Sequence, residues 1–279
     1  MQTMNRRNFL KIAGLGAAGL ALSGCGLKSR REAFNEQRIT SIADTGDVQY
    51  RIIPHSNTKV STIGIGASAI HEADGDEIQR IFDYAADKGI NLVDTVMSNF
   101  ASAELMGKAM KGRRQSFITQ MHIGATYPGG TYTRTRDFAK VKEGFETQLK
   151  TFQTDYSDIG FIHYVDEGKD YDDMLNNGLL DYAQKLKQEG IIRNIGFSSH
   201  SVEMANRFLD TGLMDVYMFS INPSYDFVSS GGGMTLDADR KKLYERTQQM
   251  GVGITVMKAY GGGRLLSAGS SPFGKAMTP

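Results

Sequence analysis

From Val48 onward, short apolar runs alternate with amphipathic stretches every roughly 30 to 40 residues, the rhythm of βα units arranged around a parallel sheet. The chain opens with VQYRIIPHSNTKVS, Val48–Ser61, which predicts a two-stranded hairpin turning at an asparagine. Seven strands are then predicted in TIGIGAS (62–68), INLVDT (90–95), SFITQMHIG (116–124), YSDIGFIHYV (156–165), IRNIGFSS (192–199), MDVYMFSIN (214–222) and GITVMKAY (253–260). Between them lie helical patterns such as DEIQRIFDYAADKG and LLDYAQKLKQEG. Each closes on a glycine that can take the left-handed conformation ending a helix. In the first, Ile78, Ile81, Phe82, Tyr84 and Ala85 recur near helical spacing and predict one apolar face.

Such an array forms either a TIM barrel or an open doubly wound sheet. No G-x-G-x-x-G follows the first strand, which weakens the second. The expected fold is therefore a (β/α)8-type barrel with an N-terminal hairpin. A barrel of this type needs eight units, whereas the predicted strands number seven and the sequence then runs GGGRLLSAGSSPFGKAMTP. A seven-strand sheet would leave two edges unpaired. The expectation is a barrel incomplete as given, with the seventh helix, the eighth strand and the eighth helix missing.

In a TIM barrel the chemistry gathers at the C-terminal ends of the strands. Those ends carry Ser68 and His71, then Asp94, His122, His163, Ser198, Ser199 and His200, Asn222 and Lys258. Four of the five histidines fall there; His55 lies in the hairpin. A single strand histidine is more often a hydrogen-bonded core residue than a catalyst, but each buried ring left unpaired costs about 1–3 kcal/mol. Four at successive strand ends point to a site.

Composition removes some classes of function. The 279 residues are 40% hydrophobic and 23% charged, ordinary for a globular chain. The formal net charge is +1, yet the first 24 residues hold Arg6, Arg7 and Lys11 and no acid, so the remainder has 29 bases against 31 acids. That balance offers no clustered basic face for nucleic acid. The sole cysteine is Cys25, so neither a disulfide framework nor a cysteine-ligated metal or iron–sulfur site can be built from this chain.

The N-terminus reads as an address. NRRNFLK, Asn5–Lys11, is followed by the short glycine-broken run IAGLGAAGLALSGC, which is too short for a stable bilayer span of roughly 20 residues and suits a signal peptide. It resembles a twin-arginine export signal, and LSGC, Leu22–Cys25, resembles a lipoprotein signal-peptidase box. Residues 1–24 are thus expected to be the signal, with Cys25 the lipidated first residue of the mature protein. An ordinary cleaved signal with an incidental cysteine is the bland alternative. Residues 25–47 are polar and without period, a tether, and 48–279 form the barrel. The resemblance implies passage through the twin-arginine translocase to the periplasmic side, a lipid anchor in the membrane, and a cofactor inserted before export.

Five motifs in order carry a further resemblance: GINLVDT, SAELMGKAMKGRR, YSDIGFIHYVD, EGIIRNIGFSSHS and GVGITVMKAYGGGRLL. They are similar to those of the aldo/keto reductase superfamily, over nearly all of Val48 to the end. The resemblance implies a TIM barrel passing hydride between NADP(H) and a carbonyl or alcohol on a small-molecule substrate. In that family a tyrosine exchanges the proton, a lysine held by an aspartate lowers its pKa, and a histidine orients the substrate oxygen. Tyrosine ordinarily holds its proton to about pH 10, so a nearby cation is needed.

Carried over by position, Asp94 matches the aspartate and His163 the histidine. The lysine's place is taken by His122, and five residues beyond Asp94 stands Asn99, with Phe100 beside it, where the tyrosine is expected. The residues that would hold the nicotinamide amide become Ser198 and Ser199, the strand-six glutamine becomes Met218, and the ring-stacking aromatic becomes Met257. Asn222, Lys258, Gly261 and Gly262 complete the expected cofactor set. MHIGATYPGGTYTRTRD, MFSINPSYD and SPFGKAMTP resemble a branch whose members often carry export signals and end in a small iron–sulfur domain. For this chain a cluster is implied only in a missing C-terminal extension.

Three functions stay open on sequence. One is an exported oxidoreductase with altered acid–base chemistry, in which Asp94 orients His122 and His122 and His163 flank the substrate. Another is a divalent-metal hydrolase with His122, His163, His200 and Asp94 as ligands, although no short H-x-H or H-x-x-x-H spacing supports it. The third is a lipid-anchored binding protein on a barrel that has lost its chemistry.

Overall fold

The computed structural model describes Gly46 and residues 48–277, apart from 97, 98 and 232. The signal segment, Cys25 and nearly all of the tether lie outside the described residues.

All seven expected strands form. A hairpin of β1 (Tyr50–Ile53) and β2 (Thr58–Ser61) leads into the parallel strands β3 (Gly64–Gly66), β4 (Leu92–Asp94), β5 (Ile118–Ile123), β6 (Ser157–Ile162), β7 (Ile192–Ser199), β8 (Val216–Ser220) and β9 (Gly253–Met257). These seven pair in sequence order, β3 to β9, as one curled sheet. The fold is an incomplete TIM barrel with β3 and β9 at its two edges. Connecting helices cover the outside: α1 (Gly75–Asp87), α2 (Ala101–Ala109), α3 (Phe138–Thr151), α4 (Gly168–Asn176), α5 (Leu179–Gln188), α6 (Val202–Asp210) and α7 (Ala238–Met250).

Local chemistry explains the helix limits. Asp74 caps α1 by accepting from the Glu77 N–H at 2.8 Å, and Gly89 leaves it at φ 74°. Ile78, Phe82 and Ala85 are buried as the spacing predicts, but Tyr84 is 62% exposed. Its spacing is helical, yet its place on the turn lies beyond the edge of the buried stripe. The α5 pattern closes at Gly190 with φ 75°.

Two apolar layers hold the barrel. The outer one packs the helices on the sheet, with the Phe197 ring stacked between Phe208 at 4.3 Å and Tyr217 at 4.9 Å. The inner one gathers Ile118, Ile159, Phe161, Val216 and Met218 with Ile53 and Val60 of the hairpin. The hairpin therefore plugs the N-terminal end of the barrel. Asn91 ties it there, accepting from the Ser61 N–H at 2.8 Å and donating to the Lys59 carbonyl at 3.0 Å. A Cβ at Gly196 would lie 2.3 Å from the Val216 carbonyl and 2.5 Å from the Phe161 ring, so the inner layer closes only around a glycine.

Buried charge also sits at the N-terminal strand ends. Asp158 is fully buried and accepts from the Thr119 N–H at 3.0 Å, from Arg193 at 2.8 Å and from Arg114 at 3.3 Å. The two guanidinium groups stack on the Tyr156 ring at 4.3 and 4.2 Å. With the plug, this cluster closes one end of the barrel.

Candidate active site

The C-terminal strand ends bring Asp94, His122 and His163 together. Asp94 closes β4; one carboxylate oxygen accepts from the Val96 N–H at 3.2 Å and the other lies 2.8 Å from His122 Nε2. His122, on β5, is 1% exposed. Gln148 of α3 fixes its backbone, accepting from the His122 N–H at 3.3 Å and donating to its carbonyl at 2.9 Å. From His122 the line continues, Nδ1 to His163 Nδ1 at 2.8 Å, and His163 Nε2 lies 2.5 Å from the Tyr132 hydroxyl. Four side chains thus form one continuous hydrogen-bonded line across the ends of β4, β5 and β6 and the loop that follows β5.

Donor and acceptor counting allows two proton arrangements. A carboxylate only accepts, so His122 donates from Nε2. When His122 is neutral, its Nδ1 accepts from His163 Nδ1–H, and His163 Nε2 accepts from the Tyr132 O–H. When His122 carries a second proton the two links beyond it reverse while Nε2 still donates to Asp94, and the Tyr132 hydrogen is released from the line. Burial, with the charges of His122, Arg136 and Arg134 acting the same way, holds His163 well below the usual imidazole range. Its ring is neutral in both arrangements. Burial raises the Tyr132 phenol above the ordinary tyrosine value, opposed by Arg134 and Arg136.

Tyr132 belongs to the loop between β5 and α3. A two-residue ladder, Ala125–Thr126 against Thr133–Arg134, clamps that loop, and Gly129 and Gly130 turn it with positive φ. An isolated antiparallel bridge joins Thr131 to Asn99. The loop is therefore fastened beside the position where the sequence lacks a tyrosine and presents Tyr132 next to it. Arg134 and Arg136 donate to the Tyr164 carbonyl at 2.7 and 2.8 Å and pair with Asp170 of α4, which fixes the loop to β6 and α4.

A second cluster lies beside the first. Asp166 accepts from Ser199 Oγ at 2.9 Å and from the His200 backbone and ring at 2.6 and 2.9 Å, while His200 Nε2 accepts from Lys258 at 2.9 Å. Burial favours the neutral acid at Asp166, but the bonds from His200 and Ser199 prevail and hold its pKa below the usual value. Tyr164 separates the clusters, its ring 6.2 Å from His163 and 5.4 Å from His200.

The expected residues therefore divide. Asp94, His122 and His163 converge. Ser199 is committed to Asp166, and Asn222 is committed to the Ser224 N–H and the Lys258 carbonyl. Ser198 accepts from the Tyr164 N–H at 2.9 Å and keeps its own hydroxyl hydrogen. Lys258 is exposed at φ 57°, and Gly261 and Gly262 turn the following loop at φ 61° and 67°. His71 lies at the same end, its carbonyl accepting from Ser102 Oγ at 2.6 Å and Asn99 at 3.3 Å. Ser68 is exposed near it. Among the described residues no three His, Cys, Asp or Glu side chains are placed to hold a metal. The ligand set Asp94, His122, His163 and His200 is not assembled, because His200 faces Asp166 and Lys258. A surface hollow lies at the opposite end, lined by His55, Lys187, Asp215 and Met250, away from these groups.

Tyr132, Asp166 and Gln148 have no place in the sequence-based site. Asp166 stands three residues beyond His163, and a carboxylate that close to a strand-end histidine is a usable signal. Tyr132 offered none by position, because its loop carries no periodicity.

Comparison with known proteins identifies the family and the signal. The aldo/keto reductase family model matches residues 62–276, and a twin-arginine translocation signal model matches residues 3–23. The chain belongs to the aldo/keto reductase family and carries a signal for export across the cytoplasmic membrane. It is 30% identical over 191 residues to the aldo-keto reductase YhdN of Bacillus subtilis, covering 67% of this chain and 53% of that protein. It is 26% identical over 192 residues to Protein tas of Escherichia coli, covering 58% of this chain and 55% of that protein. The chain spans about half the length of these curated relatives. Among solved structures, the holo form of aldo-keto reductase AKR11C1 from Bacillus halodurans superposes with a TM-score of 0.63 at 25% identity, over 78% of this chain and 68% of that one.

Proposed function

We propose that this is an exported oxidoreductase of aldo/keto reductase type, acting on a carbonyl or alcohol of a small molecule, with Asp94, His122 and His163 as its acid–base machinery. The observation carrying this reading is the unbroken line from the Asp94 carboxylate through both imidazoles, at the strand ends where a TIM barrel does its chemistry. The family's lysine supplies a permanent charge; here His122 takes up or releases a proton against Asp94. His122 is the proton store, Asp94 its counter-charge and His163 the carrier.

The residues present accommodate NADP(H). The free hydroxyl hydrogen of Ser198 suits a carboxamide oxygen, Met257 offers a part-exposed apolar surface at the end of β9, and Lys258 supplies a cation. Beside it Gly262 has nothing within 4 Å of where a Cβ would stand, leaving backbone open to a phosphate, and Gly261 shapes the turn. Ser199 and Asn222 act one step back, through Asp166 and the Lys258 carbonyl. When bound, the reduced nicotinamide supplies a hydride. Residues 1–24 serve as the signal, Cys25 carries the lipid anchor on the periplasmic side, 25–47 are the tether and 48–279 the catalytic barrel.

The test uses the purified full-length protein. NADPH binding is read by nicotinamide fluorescence and turnover by NADPH oxidation with 4-nitrobenzaldehyde. Binding with turnover that falls by about 100-fold or more in His163→Ala is expected; no NADPH binding, or an unaffected variant, refutes the reading. Radiolabelled palmitate incorporation lost in Cys25→Ser checks the anchor.

A further inference from the structure

The side-chain line does not end at the histidines, and its last member lies outside the five motifs that carry the superfamily resemblance. We infer that Tyr132 is the catalytic acid that protonates the substrate oxygen, recharged through His163 from a proton held on His122 beside Asp94. The inference rests on the oxidoreductase reading above and names the group that touches substrate.

Three independent observations meet at Tyr132. Its hydroxyl lies 2.5 Å from His163 Nε2, so it is the terminal member of the line on the mouth side. The Asn99–Thr131 bridge places it beside the position where the chain carries asparagine. Its ring is partly exposed, whereas His122 and His163 are buried at 1% and 6% exposure, so the phenol meets the mouth before either imidazole does.

The transfer balances. In the loaded arrangement His122 holds protons on both nitrogens; Nδ1–H faces His163 Nδ1, His163 Nε2–H faces the phenol oxygen, and the phenol hydrogen faces substrate. A bound reduced nicotinamide would supply the hydride to the carbonyl carbon; with the C=O π bond opened, the substrate oxygen would take the Tyr132 proton. His163 gives its Nε2 proton to Tyr132 and receives at Nδ1 the proton of His122 Nδ1. The line ends in its neutral arrangement, one proton poorer, and the product is an alcohol. Alcohol oxidation runs the same steps backwards and starts from the neutral arrangement. Reduction therefore weakens and oxidation strengthens as rising pH strips the one mobile proton. The charged and titratable groups facing the line are Asp94 on β4, Arg134 and Arg136 on its own loop, Tyr164 just beyond β6 and His200 just beyond β7. The raised phenol keeps Tyr132 in its donor form.

The test compares the full-length protein with its Tyr132→Phe variant, using NADPH with 4-nitrobenzaldehyde and NADP+ with 4-nitrobenzyl alcohol, alongside ring-nitrogen NMR of the histidines. The variant should lose about 100-fold or more in kcat with NADPH affinity unchanged, and the His163 Nε2 and His122 Nδ1 resonances should both move. Asp94→Asn, remote from the phenol, should shift the pH limb of reduction to lower pH. A Tyr132→Phe kcat within threefold of the parent, or unmoved His122 and His163 resonances, overturns the inference. If the parent neither binds NADPH nor turns over, the oxidoreductase reading fails, and the role of Tyr132 as a catalytic acid falls with it; resonances that still move then retain only a hydrogen-bonded relay. If Tyr132→Phe does not fold, an unshifted limb in Asp94→Asn overturns the relay.

Discussion

Replacing Asp158 tests how the closed end of the barrel is held. Asp158→Ala removes an acceptor that serves the Thr119 N–H and two arginines, whose side chains are only 12% and 17% exposed. Breaking a buried ion pair from one side costs about 3–5 kcal/mol. Stranding the Thr119 amide alone accounts for about 1–3 kcal/mol of that. The remainder is moderated because both guanidinium groups keep their contact with Tyr156 and some solvent. A loss of about 3–4 kcal/mol corresponds to a Tm fall of roughly 6–16 °C for a domain of this size. Asp158→Asn retains an acceptor for Thr119 and should lose about half as much. Thermal and urea unfolding of the exported form provide the measurement, with circular dichroism confirming the native content of the starting state. A loss below 1 kcal/mol for the alanine variant, or an asparagine variant as unstable as the alanine one, would refute the account.

Two further outcomes follow from the same packing. Because the His163 pKa is depressed, the unfolded chain binds the more protons below about pH 6.5, so this group's contribution to stability is present above that pH and lost as pH falls, with a slope of up to ~1.4 kcal/mol per pH unit; urea unfolding across pH should show a shallower acid slope in His163→Gln. Gly196→Ala drives a methyl against the Val216 carbonyl and the Phe161 ring and should destabilise by about 1–3 kcal/mol, read as a lower urea midpoint with unchanged slope.

The strands were legible because each is an apolar run bounded by turn residues, and the helices because their glycine stops match the observed positive-φ positions. Asp94, His122 and His163 were legible for a related reason: a strand that ends in a polar residue delivers it to one known face. Tyr132 was hidden because its position depends on pairing Thr131 with Asn99 across a glycine turn, a long-range contact that no local pattern encodes. Ser199 and Asn222 show the other side of the same limit. Their residue types suit a ligand, but Asp166 and the Lys258 carbonyl reach them first, from segments far along the chain. The Tyr84 exposure is smaller in scale and has the same origin, since spacing alone does not tell how wide a buried stripe will be.

The short ladder that carries Tyr132 separates heritable risk between chemistry and architecture. A tyrosine on a barrel strand is bound to the core, so substitutions around it endanger folding. Here the acid group hangs on a loop fastened by Thr131, Thr133 and Arg134, outside the seven barrel strands. Change in one loop can therefore alter the proton donor without rebuilding the protein. The same partition makes the loop a graftable cassette for giving a related barrel that already has paired histidines a different acid.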